Sequence, residues 1–479
     1  MSKLQAVLFI LLAVAVASWA GESASPDRDQ AAAALQKAVD FFRNDVSVED
    51  GYLWRYKADL TLREGEGKAS ASQAWVQSPG TPSVGAALLR AYEQTGEPYL
   101  LEAARQSAHA LVKGQLVSGG WHYSIEFNPE KRGAYAYRAD SAEAEGRNVS
   151  TLDDDVTQLA LRYLMQVDQT LNFEDAAIHG AVVYGLDKLV AAQYPNGAWP
   201  QRFTGPPDPE KHPVKRASYP EEWSREYEGV NYMGYYTFND GTISDTIKTM
   251  FDAAEIYGRK DCREAAMRAG DFIILAQMPD PQPGWAQQYD PDMHPAWARK
   301  FEPPAITGGE SQGVMRTLLY LYRKTGAAKY LEPLPRALDY YEESALANGD
   351  LARFYELRTN KPLYFTKDYQ LTYSSDDMPT HYAFIVGSSL RSIRKEYERL
   401  KEMPEEEVQA NSAPTKPRMT PELAARAQAV IEALDERGAW TEAGDLRYHA
   451  EGSAERVIDC QTFIQNIGVL SGYLAAIEE

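Results

Sequence analysis

The sequence predicts an all-α protein, an incomplete α/α toroid of repeated helical hairpins with a few short strands. Four times along the chain, a pair of amphipathic helices is followed by a Gly-containing loop, and three of these loops carry Trp121, Trp199 and Trp285. A spacing of about 80 residues between these tryptophans indicates one structural repeat. Because a hairpin cannot bury its apolar face alone, neighbouring hairpins are expected to stack around a common axis.

The predicted elements follow the chain in order. Residues 31–44 predict a first helix, and the paired helices are predicted at 85–92 with 101–116, 156–166 with 176–193, 243–257 with 263–278, and 312–322 with 330–346. Apolar residues on both sides of 359–362 predict a β-hairpin within 353–373, the only place where strands are expected. Residues 21–403 are therefore assigned to the toroid. Residues 404–420, rich in Pro, Glu and Thr, predict a linker or surface excursion, and helices in 421–479 complete the ring.

The N-terminus predicts export. An apolar run at 6–17 is followed by small residues at positions 18 and 20, which predicts a signal peptide over 1–20 and a secreted or periplasmic protein. The run is shorter than the roughly 20 residues of a membrane span, and no later stretch is long enough, so no span is expected. Cys262 and Cys460 could form one disulfide or remain two buried thiols.

Composition restricts the partners. The chain has 479 residues, of which 44% are hydrophobic, so a large core is expected. A net charge of −20 argues against binding to nucleic acid or to an anionic membrane surface, since both require a basic face. An acidic substrate would need a local cluster of positive charge. The sequence has no zinc-type histidine spacing, no serine-hydrolase motif and no phosphate-binding Gly-rich loop.

Acidic residues occur in equivalent loops of successive repeats. Asp153, Asp154 and Asp155 precede one predicted helix, and Asp240 precedes another. Carboxylates from two such loops at one rim could bind a hard cation such as calcium. Helix N-capping explains the same residue types, although three consecutive aspartates exceed what one cap needs. Both interpretations remain open here.

Aromatic and polar side chains also adjoin each other in the Gly-Trp loops, as Trp199 and Arg202 do. An aromatic ring can pack on the apolar face of a sugar while a guanidinium binds its carboxylate. The alternative is that each tryptophan packs inside its own hairpin.

Six motifs in one order carry a resemblance: STLD (150–153), WPQR (199–202), TFND (237–240), GWAQQY (284–289), ARKFE (298–302) with GES (309–311), and ARFYE (352–356) with TNKP (359–362). Through them, residues 31–382 resemble the family 10 pectate lyases. The resemblance implies an α/α toroid that cleaves polygalacturonate by calcium-assisted β-elimination. It implies calcium ligation by Asp153 and Asp240, and an arginine base at Arg299. Substrate contacts are predicted at Trp199, Arg202, Arg353 and Asn360, where Arg353 would hold a substrate carboxylate.

The sequence therefore predicts a secreted, monomeric pectate lyase with calcium as cofactor and polygalacturonate or a related acidic polysaccharide as substrate. One alternative is a catalytically inactive toroid that binds pectic oligosaccharides, and another is a different α/α-toroid enzyme acting on polysaccharide. Triterpene cyclases share Gly-Trp repeats and an aspartate-rich segment, but no apolar entrance is evident. Residues 204–233 form a longer connection than the resemblance leads us to expect and are predicted to reshape the cleft.

Overall fold

The computed structural model of the chain describes residues 26–408 and 417–477, so the predicted signal peptide lies outside the described residues. The described chain is mainly helical. Its α-helices are α1 (Arg28–Phe41), α2 (Thr81–Thr95), α3 (Pro98–Gly114), α4 (Pro129–Arg132), α5 (Val156–Thr170), α6 (Ala176–Ala191), α7 (Thr242–Tyr257), α8 (Lys260–Leu275), α9 (Glu310–Thr325), α10 (Leu334–Glu343), α11 (Leu390–Glu402), α12 (Glu405–Val408), α13 (Pro421–Glu432) and α14 (Cys460–Ile477).

The helices form two layers. Helices α14, α2, α5, α7, α9 and α11 pack side by side in that order and make the inner layer. Helices α1, α3, α6 and α8 lie outside α14, α2, α5 and α7, and α10 packs on α11. Each helix of these two layers buries apolar residues, and together they form one continuous core from α1 to α14. The fold is the α/α toroid that the sequence predicts.

The two ends of the described chain meet. Helix α14 packs between α1 and α2, and α13 packs on both α1 and α14. The helices after residue 420 thus adjoin the first hairpins. Within the predicted linker, Glu405–Val408 is a short helix, and residues 409–416 lie outside the described part of the chain.

Short antiparallel strands join the hairpins. They are β1 (Arg55–Lys57), β2 (Arg63–Gly65), β3 (Gly67–Lys68), β4 (Gln73–Trp75), β5 (Ser124–Glu126), β6 (Ser150–Thr151), β7 (Arg202–Phe203), β8 (Tyr236–Thr237), β9 (Gln288–Tyr289), β10 (Ala305–Thr307), β11 (Leu351–Ala352), β12 (Phe354–Glu356), β13 (Pro362–Phe365), β14 (Leu371–Thr372), β15 (Ile385–Val386), β16 (Glu442–Ala443) and β17 (Arg456–Asp459). The predicted hairpin is confirmed as β12–β13, with Phe354 opposite Leu363. The expectation that strands occur only there is wrong, because strands of two to four residues are too short to show an alternating pattern.

These strand pairs determine where the loops lie. The strand before an inner helix pairs with the strand that follows the next outer helix, as in β6–β7 before α5, β8–β9 before α7 and β10–β12 before α9. Thr151 consequently lies opposite Arg202, and Thr237 opposite Gln288. The N-terminal ends of α5, α7 and α9 therefore share one rim of the toroid.

The repeated tryptophans are part of the packing. Trp121, Trp199 and Trp285 are completely buried. Each indole Nε1 donates a hydrogen bond of 2.8–2.9 Å to a carbonyl in the last turn of the preceding outer helix, at Leu111, Leu189 and Ile273 respectively. Trp440 makes the equivalent bond to Val430 in α13. Because the last carbonyls of a helix have no partner within it, the tryptophan satisfies one of them while filling the core.

Two further sequence expectations concern cysteines and membranes. Cys262 and Cys460 are both buried and are not joined in a disulfide, so the structure has two buried thiols. Among the helices in 26–408 and 417–477, none has the length and apolarity needed to cross a membrane.

Candidate active site

The loops that lead into α5 and α7 have the same conformation. In each, a threonine hydroxyl accepts a hydrogen bond from the backbone nitrogen two residues on, at 3.2 Å for Thr151 and 3.0 Å for Thr237. The residue after that nitrogen has left-handed backbone, with φ 50° at Asp154 and 47° at Asp240. Aspartate tolerates this conformation better than most residues. Asp154 and Asp240 are therefore equivalent positions in successive repeats.

Three carboxylates meet where these two loops adjoin. One oxygen from each of Asp153, Asp154 and Asp240 lies within 4.8 Å of the others. Their hydrogen bonds come from neutral donors: the Tyr123 hydroxyl (2.6 Å) and Gln201 Nε2 (2.8 Å) to Asp153, Gln77 Nε2 (2.9 Å) to Asp154, and Asn239 Nδ2 to Asp240. In the described chain none of the three forms an ion pair with a lysine or arginine. We call these three residues the acidic cluster.

The acidic cluster carries unfavourable negative charge. Burial, together with the negative charge of Asp153, raises the pKa of Asp154 to about 6 and that of Asp240 to about 7. The positive charge of Arg299 acts in the opposite direction on both groups. Crowded carboxylates with raised pKa values are stabilised by a bound cation.

The third aspartate of the run is turned away. Asp155 pairs with Nη2 of Arg162 at 2.5 Å, and it is not part of the acidic cluster. Of the three consecutive aspartates, Asp153 and Asp154 therefore belong to the acidic cluster, and Asp155 forms an ion pair with Arg162.

Arg299 lies near the acidic cluster but is held by its own loop. Its Nε and Nη2 donate to the Glu302 carboxylate at 2.8 and 2.6 Å, and the Glu302 side chain is only 1% exposed. Burial alone would lower the pKa of Arg299, but the hydrogen bonds and charge of Glu302 outweigh it and raise that pKa above its usual value. In this structure the guanidinium is therefore held in its charged form.

A second arginine–glutamate pair lies beside the first. Arg353 Nη1 donates to Glu310 at 2.6 Å, and its Nε donates to the carbonyl of residue 383. Tyr382 links the two pairs: its hydroxyl donates to Glu302 at 3.0 Å and accepts from Arg353 at 3.2 Å. The result is a connected group of two arginines, two glutamates and one tyrosine, which we call the basic group.

Among the described residues, Arg202 forms no ion pair with a carboxylate. Its guanidinium lies 5.8 Å from the centre of the Tyr123 ring, and its positive charge lowers the pKa of Asp154. Its Nε is buried without a hydrogen-bond partner in the described chain. This cation is available to an anionic ligand.

Two predicted substrate contacts lie elsewhere. Trp199 is completely buried under α6, so its ring cannot stack on a sugar in this conformation. Asn360 has its amide satisfied inside the fold, with Oδ1 accepting from Tyr340 and Gln282 and Nδ2 donating to Ser344. Both side chains support packing in this structure, and the prediction that they bind substrate is not supported by their positions.

The sequence only partly predicts the remaining residues of the site. Asp154 was one of three consecutive aspartates considered for cation binding, and aligning the two loops, Thr151-Leu-Asp-Asp with Thr237-Phe-Asn-Asp, places it opposite Asp240. No local pattern predicts that Tyr123 bonds to Asp153 or that Tyr382 bonds to Glu302, because these partners are remote in sequence.

The fold and the geometry define a class of site. At the rim that holds the N-terminal ends of α5, α7 and α9, the described chain combines a carboxylate cluster that forms no ion pair, an arginine that forms none, and two arginines held by glutamates. An oxygen-only donor group of this kind suits a hard divalent cation, and the arginines suit carboxylates. Such a site is typical of an enzyme that acts on an acidic saccharide.

Comparison with known families identifies the chain more closely. Residues 115–350, just under half of the chain, match the family model described as pectic acid lyase. Over these residues the chain is similar to the pectic acid lyases. The match includes Asp153, Asp240 and Arg299, and it ends shortly before Arg353 and Asn360.

Solved structures show more distant similarity. A family 10 polysaccharide lyase from Cellvibrio cellulosa is 20% identical with a TM-score of 0.45, and the alignment covers 61% of this chain and 90% of that one. A mutant of a family 10 polysaccharide lyase from the same organism, in complex with trigalacturonic acid, is 19% identical with a TM-score of 0.45, covering 66% and 98%. An unsaturated glucuronyl hydrolase from Streptococcus agalactiae is 11% identical with a TM-score of 0.39, covering 96% and 94%. No curated protein matches the chain.

Proposed function

We propose that the protein is a calcium-dependent pectate lyase that cleaves polygalacturonate, or a closely related acidic polysaccharide, by β-elimination. The observation that carries this proposal is the acidic cluster, whose carboxylates have no cation partner in the described chain although arginines lie beside it.

The residues present fit a calcium ion. Calcium takes six to eight oxygen ligands at about 2.3–2.6 Å in loose geometry. Asp153, Asp154 and Asp240 offer oxygens that are close together and held by neutral donors. Burial and the charge of neighbouring carboxylates raise the pKa of Asp154 and of Asp240. These three residues would hold the ion. When bound, calcium would supply positive charge that stabilises the substrate carboxylate as negative charge develops beside it.

The arginines make the cleft attractive to a polyanion despite the net charge of −20. Arg202 can donate to a substrate carboxylate without giving up an ion pair. Arg353 can bind one only by sharing its guanidinium with Glu310. We assign both to substrate binding; of the two, only Arg353 is already paired with a carboxylate in the described chain.

In the elimination, the C5–H bond of a uronate breaks and its electron pair forms the C4=C5 double bond. The C4–O4 bond breaks as that double bond forms, and the leaving oxygen takes a proton from water. The C5 proton goes to a base, for which the sequence resemblance implies Arg299. The Glu302 pair opposes that role, because it favours the protonated guanidinium. Arg299 can take the proton only after substrate or alkaline pH weakens this pair.

The ion pair between Arg299 and Glu302 also favours a second candidate function. If Glu302 holds Arg299 protonated throughout, the cleft binds pectic oligosaccharides and does not cleave them. This is the binding-module alternative, and it predicts binding without an unsaturated product.

The test is direct. Purified protein is incubated with polygalacturonate and calcium, and the ultraviolet absorbance of the 4,5-unsaturated product is followed. Absorbance that rises with calcium and stops on chelation supports the proposal. Binding of oligogalacturonate with no absorbance change supports the binding module instead. We further propose that the protein acts as an exported monomer, on the basis of the N-terminal apolar run and composition.

A further inference from the structure

Residues 217–234, within the long connection between β7 and β8, form a strap that is fixed to the body of the toroid. At its start, the backbone nitrogens of Ala217 and Ser218 donate to the carbonyls of Leu275 and Met293 at 2.8 and 3.1 Å. At its end, the carbonyl of Gly234 accepts from the Tyr194 hydroxyl at 2.9 Å. Hydrogen bonds therefore fix both ends of the strap to the body of the toroid.

The middle of the strap is attached to the loops that carry Arg299 and Arg353. Trp297 Nε1 donates to the carbonyl of Ser224 at 2.9 Å, and Arg225 pairs with Glu356, which is 2% exposed. Arg358 donates to two strap carbonyls, at 2.9 and 3.2 Å. These bonds hold the strap against the basic side of the cleft.

The next part of the strap approaches the reaction centre. Val230 packs against an apolar cluster that contains Trp297 and Phe301, on either side of Arg299. Two residues later comes Tyr232, whose carbonyl accepts from the nitrogen of Tyr235 in a turn at 2.8 Å. Along the chain, Tyr232 therefore follows the part of the strap that packs beside the Arg299 loop and precedes strand β8, which leads to Asp240.

The charges around Tyr232 come from both sides of the cleft. Burial raises the pKa of its hydroxyl, Arg299 and Arg202 lower that pKa, and Glu302 and Asp153 raise it. The hydroxyl is therefore protonated at neutral and mildly alkaline pH and can donate a hydrogen bond. Within the described ranges of the chain it has no hydrogen-bond partner.

We propose that the strap forms one wall of the substrate cleft and that the Tyr232 hydroxyl donates a hydrogen bond to the acidic polysaccharide bound between the acidic cluster and Arg299. This inference rests on the proposed function and adds to it a substrate-binding residue from the long connection. A carboxylate or glycosidic oxygen is the natural acceptor, because the neighbouring arginines position anionic sugar units there.

Tyr232→Phe tests the inference because it removes only the hydroxyl. Tyr235→Phe is the matched control: it lies three residues on, is also half-buried, and its pKa responds to Asp290 and not to the cleft charges. For each variant of the full chain we would measure KM and kcat with polygalacturonate, the Kd for trigalacturonate by calorimetry, and the melting temperature.

For Tyr232→Phe we expect KM and Kd to rise about 10-fold, as for the loss of one hydrogen bond to a charged group, with kcat nearly unchanged. Tyr235→Phe should match the wild type. Unchanged binding by Tyr232→Phe would overturn the inference, and so would an equal loss in Tyr235→Phe, which would assign the effect to strap packing. A wild type that neither binds nor cleaves the substrate would overturn the proposed function itself. A wild type that does both but is insensitive to Tyr232→Phe overturns only the role of Tyr232.

Discussion

The two sides of the cleft differ in how their charge is balanced. On one side, the acidic cluster of Asp153, Asp154 and Asp240 receives hydrogen bonds from neutral donors. On the other side, Arg299 and Arg353 are each neutralised by a glutamate. The acidic side is therefore incomplete without a cation, whereas the basic side is balanced before any substrate arrives. The acidic side is therefore suited to bind a metal ion. On the basic side, an anionic substrate must compete with a glutamate for each arginine.

This difference arises within one repeated loop. Thr307 accepts from the nitrogen two residues on at 3.2 Å, as Thr151 and Thr237 do, and the residue after that nitrogen is Glu310. Three successive repeats thus place a carboxylate at the same position. In the third repeat Arg353 neutralises this carboxylate, whereas in the first two no arginine of the described residues pairs with it.

The largest effect is expected from the acidic side. Asp154→Asn and Asp240→Asn should each lower kcat/KM at limiting calcium by about 1000-fold, because the cluster loses one of its few charged ligands. Asp155→Asn is the matched control, since that neighbour pairs with Arg162. It should lower the melting temperature and keep the wild-type calcium requirement. Activity assays across a calcium titration check this, and equal calcium requirements in all three variants would count against the acidic cluster.

Arg299→Lys should lower kcat by about 100-fold or more with little change in Kd if Arg299 takes the C5 proton. Lysine keeps the charge but moves the basic atom and cannot reproduce the forked contact with Glu302. Turnover, substrate affinity and melting temperature are measured on the same variant. Near-normal turnover by a well-folded variant would restrict Arg299 to a structural pair with Glu302.

The pH dependence of Glu302→Gln also tests whether Arg299 is the base. Glu302 raises the pKa of Arg299. Replacing its carboxylate by a neutral amide should therefore lower the pKa of Arg299. Because a base works in its deprotonated form, the acidic limb of the pH–rate profile should move to lower pH. A limb at the wild-type position would show that Arg299 does not titrate in the reaction. Melting curves accompany the profile, because Glu302 also accepts from Gln287 and Tyr382.

A smaller effect is expected at Arg353. Arg353→Lys keeps the charge but loses the fork that contacts Glu310, Tyr382 and a backbone carbonyl. We expect Kd for oligogalacturonate to rise about 10-fold. Arg336→Lys, at an exposed pair with Asp280, provides the control and should bind normally. Equal affinities for both variants would remove Arg353 from the substrate-binding residues.

The smallest effect on activity is expected at Trp199. Trp199→Phe removes the bond to Leu189 and part of a buried ring, so we expect a loss of about 2 kcal/mol in the free energy of unfolding. KM should stay within about twofold, since the ring lies outside the cleft. Urea unfolding and steady-state kinetics are the measurements. A large rise in KM with unchanged stability would restore the stacking role that the sequence suggested.

The sequence predicts the toroid well because its helices are long and amphipathic and its Gly-Trp loops recur at a fixed spacing. The sequence also predicts that Asp153 and Asp240 lie at one rim, because equivalent loops of successive repeats lie next to each other. Residue type alone could not show that Trp199 points into the hairpin. An aromatic ring beside polar residues can serve either packing or sugar binding, and only its burial in the structure distinguishes the two roles.

The contacts of the basic side were harder to foresee. Arg299 and Glu302 are three residues apart and so can pair, but the two-pronged geometry of their contact depends on the turn between them. Tyr382 and Tyr232 come from segments far from Arg299 in sequence, and no local pattern predicts that they converge there.

The central claim is that the acidic cluster binds calcium through carboxylates that the protein leaves without a cation partner. Calorimetric titration of calcium into the wild type, Asp154→Asn and Asp155→Asn, without substrate, tests it most directly. We expect one site in the wild type, a nearly unchanged site in Asp155→Asn, and a site weakened at least about 100-fold in Asp154→Asn. No calcium binding by the wild type, or equal binding by all three proteins, would contradict the account.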